Sequence, residues 1–169
     1  MSATARVVVV APEEVDLVAA CGALVAGVYG GEKLLEDEEG YLATVADAMP
    51  RARDAVLLAA LDGDALLGTA TYATADSRYA ELAGPREAEM RMLAVAPAAR
   101  GRGVGRLLTL SCVERARQEG CRRFVLSSGP RMTAAHAMYE GMGFHRSPER
   151  DWSPVPGVDL RTYGLALQG

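Results

Sequence analysis

Lysine is almost missing from this chain: Lys33 is the only one in 169 residues. That excludes one common phosphate site, because the P-loop closes on Gly-Lys-Ser/Thr and Lys33 stands in no such context. Positive charge is not in excess either. Eighteen Lys and Arg face 22 Asp and Glu, for a net charge of -4, which argues against a nucleic-acid partner. Long hydrophobic runs are absent. Val7–Ala11 and Ala55–Leu61 are too short to span a bilayer, so no membrane partner is expected. The opening MSATARVVVVAPEE has too short an apolar stretch for a secretory signal. Three cysteines, Cys21, Cys112 and Cys121, are an odd number without metal-like or redox-like spacing. They read as reduced, mostly buried thiols in a cytoplasmic protein that needs no metal.

What is present is enough apolar material for a core. Half of the residues are hydrophobic, and the length suits one domain spanning 1–169. Arg6–Val10 predicts a strand, and a helix opens at Pro12-Glu13-Glu14 and runs to about Tyr29 before Gly30-Gly31. A second helix is expected from Glu36–Glu39 through about Met49, stopped by Pro50. Ala55–Leu61 and Ala65–Thr74 read as a hairpin around Asp62-Gly63-Asp64. After a loop over Ala75–Pro85 come a strand, Ala88–Val95, and a helix, Gly103–Glu119. The helix places Val104, Leu108, Cys112 and Ala116 on one face, with Leu107 and Val113 beside them. Arg122–Ser128 is a strand and Thr133–Glu140 a short helix. Phe144–Ser147 and Asp159–Leu167 are closing strands around the proline-rich Pro148–Pro156. The order predicts an α/β fold, a mixed sheet flanked by helices.

The segment ARGRGVGRLL, residues 99–108, puts Gly101, Gly103 and Gly105 where a helix should start. Glycine inside a helix costs on the order of 1 kcal/mol relative to alanine, so its presence needs a reason. A strand feeding a glycine turn and then a helix is an anion site. The first helical amides lack partners, the dipole is positive there, and glycine lets the backbone approach a phosphate. Arg100, Arg102 and Arg106 add charge. A plain glycine turn with solvated arginines would have the same composition. The dinucleotide pattern G-x-G-x-x-G fails, because its third glycine would fall at Arg106 or Leu108.

What fits is R-x-x-G-x-G, Arg100 to Gly105, after a strand ending Leu93-Ala94-Val95. This resembles the pyrophosphate loop of the GCN5-related N-acetyltransferases. AEMRMLAVAPAARGRGVGRLL is similar to that family's fourth strand and following helix. AAHAMYEGMGF, residues 134–144, is similar to its second signature. The resemblance covers nearly the whole chain and is weakest before residue 55. It implies a mostly antiparallel mixed sheet and acetyl-CoA as co-substrate. It implies acyl-CoA contacts at Leu93, Ala94 and Val95, and at the loop residues Arg100, Gly101, Arg102, Gly103, Val104, Gly105 and Arg106, largely through backbone.

Acetyl transfer to an amine needs a neutral amine, although alkylamines have a pKa of about 10. It needs stabilisation of the thioester oxygen, and the leaving thiolate benefits from a proton. The resemblance makes Tyr139 the acid; a tyrosine that merely packs the core would look the same. Glu89 matches the glutamate that the histone-acetylating branch uses as base. Period-two alternation puts it on one strand face with Arg91, Leu93 and Val95. A carboxylate paired with Arg91 or Arg86, or solvated, remains the other reading. Ser127 stands where many N-terminal-amine acetylators carry a glutamate, and Met132-Thr133 where the family commonly has asparagine. His136 is expected beside CoA or in solvent, without a ligand or base role. The acceptor side is expected from Tyr29–Tyr41 and PERDWSPVPG, residues 148–157. There Glu36–Glu39 would attract a cationic amine or simply suit a helix start. Trp152, the only tryptophan, walls the pocket, packs the loop down or forms a homodimer contact. The readings left are an enzyme acting on a small-molecule amine or amino acid derivative, a protein or peptide amine acetyltransferase, and an acyl-CoA-binding module without turnover. An acetylating toxin of aminoacyl-tRNA would need a basic surface that this acidic chain does not suggest.

Overall fold

The computed structural model describes residues 5–31, 39–154 and 156–167. The strands are β1 (Arg6–Val9), β2 (Val56–Asp62), β3 (Ala65–Thr74), β4 (Glu87–Val95), β5 (Arg123–Ser128), β6 (His145–Arg146) and β7 (Arg161–Ala166). The helices are α1 (Val15–Gly31), α2 (Glu39–Ala46), α3 (Met49–Asp54), α4 (Val104–Gln118) and α5 (Thr133–Gly141). One sheet runs β1-β2-β3-β4-β5-β7-β6. Only β4 and β5 pair parallel. A parallel pair cannot be joined by a tight turn, and here α4 makes the crossover. The expected mixed, mostly antiparallel sheet is what forms.

Both sheet faces are covered, which explains the unbroken apolar run in β2. Leu58 and Ala60 pack on the side of α4, with Leu108, Cys112 and Phe124. Leu57, Ala59 and Leu61 pack on the other side, with Val18 and Cys21 of α1. A strand buried on both faces has no reason to alternate with polar residues. On α4 the expected positions Val104, Leu108, Cys112, Val113 and Ala116 are all buried. All three cysteines are free thiols, Cys21 and Cys112 buried. Among the described residues no helix is long and apolar enough to cross a membrane.

Two expectations are corrected. Pro50 does not stop a helix that reaches Met49. The helix ends at Ala46, and Pro50 occupies the first turn of α3, where its missing N–H costs nothing. Arg51 then turns back to cap the end of α2, donating from Nη2 to the Val45 carbonyl at 2.9 Å and from Nη1 to that of Asp47 at 3.3 Å. Period-two alternation also fails along β4. Arg91 pairs with Thr71 and Ala94 with Thr69, so Met92 and Leu93 both stand opposite Ala70. Met92 takes a positive φ of 55°. This bulge flips the strand. Ala88 and Met90 before it, and Leu93 and Val95 after it, pack on the α4 side. Met92 and Ala94 pack towards Val25 and Val28 of α1. Glu89 and Arg91 therefore face away from the side that Leu93 and Val95 take, contrary to the expectation that all four share a face.

Candidate active site

The parallel pairing of β4 and β5 ends at Met90 opposite Leu126. Pairing of β4 with β3 continues to Val95. Over residues 91–95 the strand is thus paired along one edge only, and the sheet opens into a cleft on the other. The bulge sits at this divergence. Backbone groups on an unpaired strand edge take up an extended ligand as they would another strand.

Beyond Val95, a short turn over Pro97–Ala99 leads into the glycine loop. Gly101 and Gly103 adopt φ of 79° and 77°, a left-handed conformation that costs other residues about 1–2 kcal/mol. This is the physical reason for those two glycines. Gly103 is the N-cap of α4 and supplies no side-chain cap. Its carbonyl accepts from Leu107 N–H at 2.9 Å. The amides of Val104, Gly105 and Arg106 therefore precede the first helical bond and lie at the positive end of the 15-residue helix.

These elements wall a groove of about 560 Å³. Of the ten residues expected against acyl-CoA, nine line it: Leu93, Ala94, Val95, Arg100, Gly101, Gly103, Val104, Gly105 and Arg106. Arg102 does not; its Nη2 pairs with Asp62 Oδ2 at 3.3 Å. The opposite wall includes Arg131, Thr133 and Met138, which the sequence reading missed. A signal existed: Gly129-Pro130-Arg131 follows β5, and loops after parallel neighbouring strands share one edge of the sheet.

The groove continues into a narrower cleft of about 80 Å³, and Leu93 and Met132 line both. The cleft is walled by Tyr29 and Tyr41 from the first two helices, Arg91 from β4, Ser127 from β5, Tyr139 from α5, and Trp152. Tyr139 is 3% exposed. Its ring packs against Phe144 and Tyr163, at centroid distances of 5.6 and 5.9 Å. Burial pushes its phenol well above the usual range, so the hydroxyl keeps its proton at neutral pH. Trp152 donates from Nε1 to Ser127 Oγ at 3.1 Å. Ser127, where many N-terminal-amine acetylators carry a glutamate, thus orients the indole against the cleft. Glu36, Asp37 and Glu38 lie outside the described residues.

Two further residues sit differently from expectation. Glu89 does not line the cleft. It is 1% exposed, and its Oε1 accepts from the amides of Glu81, Leu82 and Ala83 at 2.7, 2.8 and 3.0 Å. Burial pushes its carboxyl up, against the pull of those amides and of Arg91. In this arrangement the carboxylate anchors a loop. His136 lies neither in the groove nor in solvent. It is buried against Tyr163 at 5.5 Å, where burial pulls its pKa down. Among the described residues no group of three or more His, Cys, Asp or Glu is arranged to hold a metal ion.

A strand that splays from its parallel neighbour, with a glycine-started helix at its end, is the arrangement that the resemblance in sequence implies, and the family comparison agrees. Residues 27–144 match the acetyltransferase (GNAT) family. The chain belongs to that family, and acetyl transfer is its chemistry. No curated protein matches the chain. Among solved structures it is similar to a GNAT-family acetyltransferase of Staphylococcus aureus Mu50, with a TM-score of 0.75 at 12% identity, covering 98% of this chain and 100% of that one. PaiA N-acetyltransferase of Thermoplasma acidophilum, solved with coenzyme A, gives 0.69 at 15%, covering 97% and 99%. The Salmonella typhimurium protein yncA, solved with its cofactor acetyl-CoA, gives 0.65 at 18%, covering 97% and 94%.

Proposed function

We propose that residues 1–169 form one N-acetyltransferase domain that moves an acetyl group from acetyl-CoA directly to the primary amine of a small molecule or amino acid derivative. The observation that carries this reading is the meeting of a long groove and a short cleft at Leu93 and Met132, with Tyr139 in the cleft wall. The first amides of α4, with Arg100, Arg106 and Arg131, suit a pyrophosphate. Acetyl-CoA brings the activated thioester. The unpaired edge of β4 at Leu93–Val95 offers amides to the pantetheine arm and to the thioester oxygen. As the N–C bond forms and the C–S bond breaks, the amine's proton passes to water, the departing sulfur takes one from Tyr139, and the tyrosinate is reprotonated from water before the next turnover. Free thiols at Cys21, Cys112 and Cys121 suit a reducing, cytoplasmic setting.

The test is thiol release from acetyl-CoA across a panel of primary amines, with mass spectrometry of the amine. Amine-dependent release with one acetyl group gained is expected. Binding of acetyl-CoA without release for any amine, peptide amines included, would instead favour a module that senses acyl-CoA. Acetylation confined to peptide amines would move the acceptor class.

In this scheme Glu89 holds the loop over residues 81–83 and does not take the proton. Glu89→Gln keeps an accepting oxygen for the three amides and removes the charge. Its kcat/KM is expected to fall by the same factor at pH 7 and pH 9. A base would behave otherwise, because its loss matters most where free amine is scarce. A markedly larger loss at pH 7 would restore Glu89 as the base.

A further inference from the structure

We infer that the acceptor is an amine that also carries an anionic group, a carboxylate being the simplest, and that Arg91 binds it. The inference rests on the acetyl-transfer reading and narrows its acceptor. Arg91 follows Glu89 on β4, just before the bulge, and lines the cleft beside Tyr29 and Tyr41. Its Nη1 donates to the Tyr79 carbonyl at 3.0 Å. Among the described residues its other N–H groups have no hydrogen-bond acceptor. Among the described residues the carboxylate within ion-pair distance, Glu81, is 3.8 Å away with a side chain 44% exposed, and such a contact is weak in water. A guanidinium facing a cleft with its fork unfilled is suited to a carboxylate.

A second arginine strengthens the positive field. Arg51 is 2% exposed. Among the described residues it donates only to the carbonyls of Val45 and Asp47, and its buried Nε has no partner. Among the described residues no carboxylate lies within ion-pair distance of it. Burial pulls its pKa down, and Arg91 is among the like charges that add to this. The two charges reach the cleft wall. Burial pushes the Tyr29 and Tyr41 phenols up, while Arg91 and Arg51 both pull them down. Among the described residues, on the negative side stand the exposed Glu81 and Asp47 and the carboxylate of Glu89, whose Oε1 is taken by three amides.

This arrangement handles both ends of the acceptor. A positive field disfavours an ammonium and lowers the pKa of a bound amine, so more of it is neutral and able to attack without a dedicated base. The same field would repel an acceptor carrying only positive charge, unless a carboxylate on the same molecule offsets it. Although the bulge turns their side chains to opposite faces, Arg91 and Leu93 line the same cleft, with Cα atoms at most about 7 Å apart. One small molecule carrying both amine and carboxylate fits that spacing. Glu89 is a positioning residue here. It fixes residues 81–83, and the adjoining Tyr79 carbonyl holds Arg91.

The experiment compares amino acids with their own carboxamides as acceptors, using acetyl-CoA and the full chain. Each pair differs in the anion, and because the carboxamide's amine is the less basic, kcat/KM is compared per neutral amine. The wild type is expected to favour the acids in kcat/KM by about 10- to 100-fold, the range of a hydrogen bond to a charged group. Arg91→Gln should bring that ratio towards one, mainly by raising KM for the acids. Arg91→Lys should restore part of it. CoA affinity, measured on each variant, reports that the fold is intact. Equal or better use of amides by the wild type would overturn the inference, and so would an acid preference that survives Arg91→Gln. If no acid in the panel is acetylated, the inference falls. Amine-dependent thiol release with uncharged or cationic amines then decides separately whether the acetyl-transfer reading stands.

Discussion

Tyr139→Phe is expected to lower kcat by about 10- to 1,000-fold, in keeping with the loss of a positioned general acid, with CoA affinity barely changed. The substitution is clean because the ring does the packing. Its contacts with Phe144 and Tyr163 remain in phenylalanine, and the buried position in the α5 wall is kept. What disappears is a proton that burial holds firmly on the oxygen. A raised pKa keeps the phenol protonated at neutral pH but makes it a weaker acid, so its proton moves only as full negative charge develops on the departing sulfur. Steady-state kinetics with a turned-over amine checks this. Unchanged kcat would make Tyr139 a packing residue.

The second large effect is expected at the loop. Gly103→Glu should abolish CoA binding, for two reasons that add. The backbone there has φ of 77°, which a side chain adopts at a cost of about 1–2 kcal/mol. The new carboxylate would also stand at the start of α4, where the unpaired amides and surrounding arginines await a phosphate. Space is not the obstacle, since a Cβ at Gly103 meets nothing within 4 Å. Gly103→Ala therefore isolates the strain. It should weaken binding far less than the glutamate does. Titration calorimetry on both variants separates charge from conformation, and normal binding by Gly103→Glu would mean that the loop is not the site.

The two glycines at positive φ illustrate what could be read from the sequence. Their local role is set by neighbours in the chain: a strand before, a helix after, arginines between. The same holds for α4, whose four-residue apolar spacing survives in its buried face. The parts that escaped depend on pairing with distant segments. The bulge at Met92 arises from the register of β4 against β3. Nothing in EMRMLAV announces it, yet it turns Glu89 and Arg91 to the opposite face from Leu93. The anchoring of Glu89 needs the loop over residues 81–83 to fold back over it. Pro50 was ambiguous because proline both ends helices and starts them, and the cap from Arg51 that resolves it is a tertiary contact. Arg102 shows the reverse case: its sequence position lies inside the loop, while Asp62 on β2 draws its side chain away.

Acetyl transfer by this chain requires that the groove between the β4 edge and the start of α4 hold acetyl-CoA. Titrating acetyl-CoA into the wild-type chain by calorimetry tests this most directly. We expect one site per chain with a micromolar dissociation constant, about -7 to -9 kcal/mol, and no heat from Gly103→Glu under the same conditions. Absence of binding by the wild type at millimolar acetyl-CoA would contradict it.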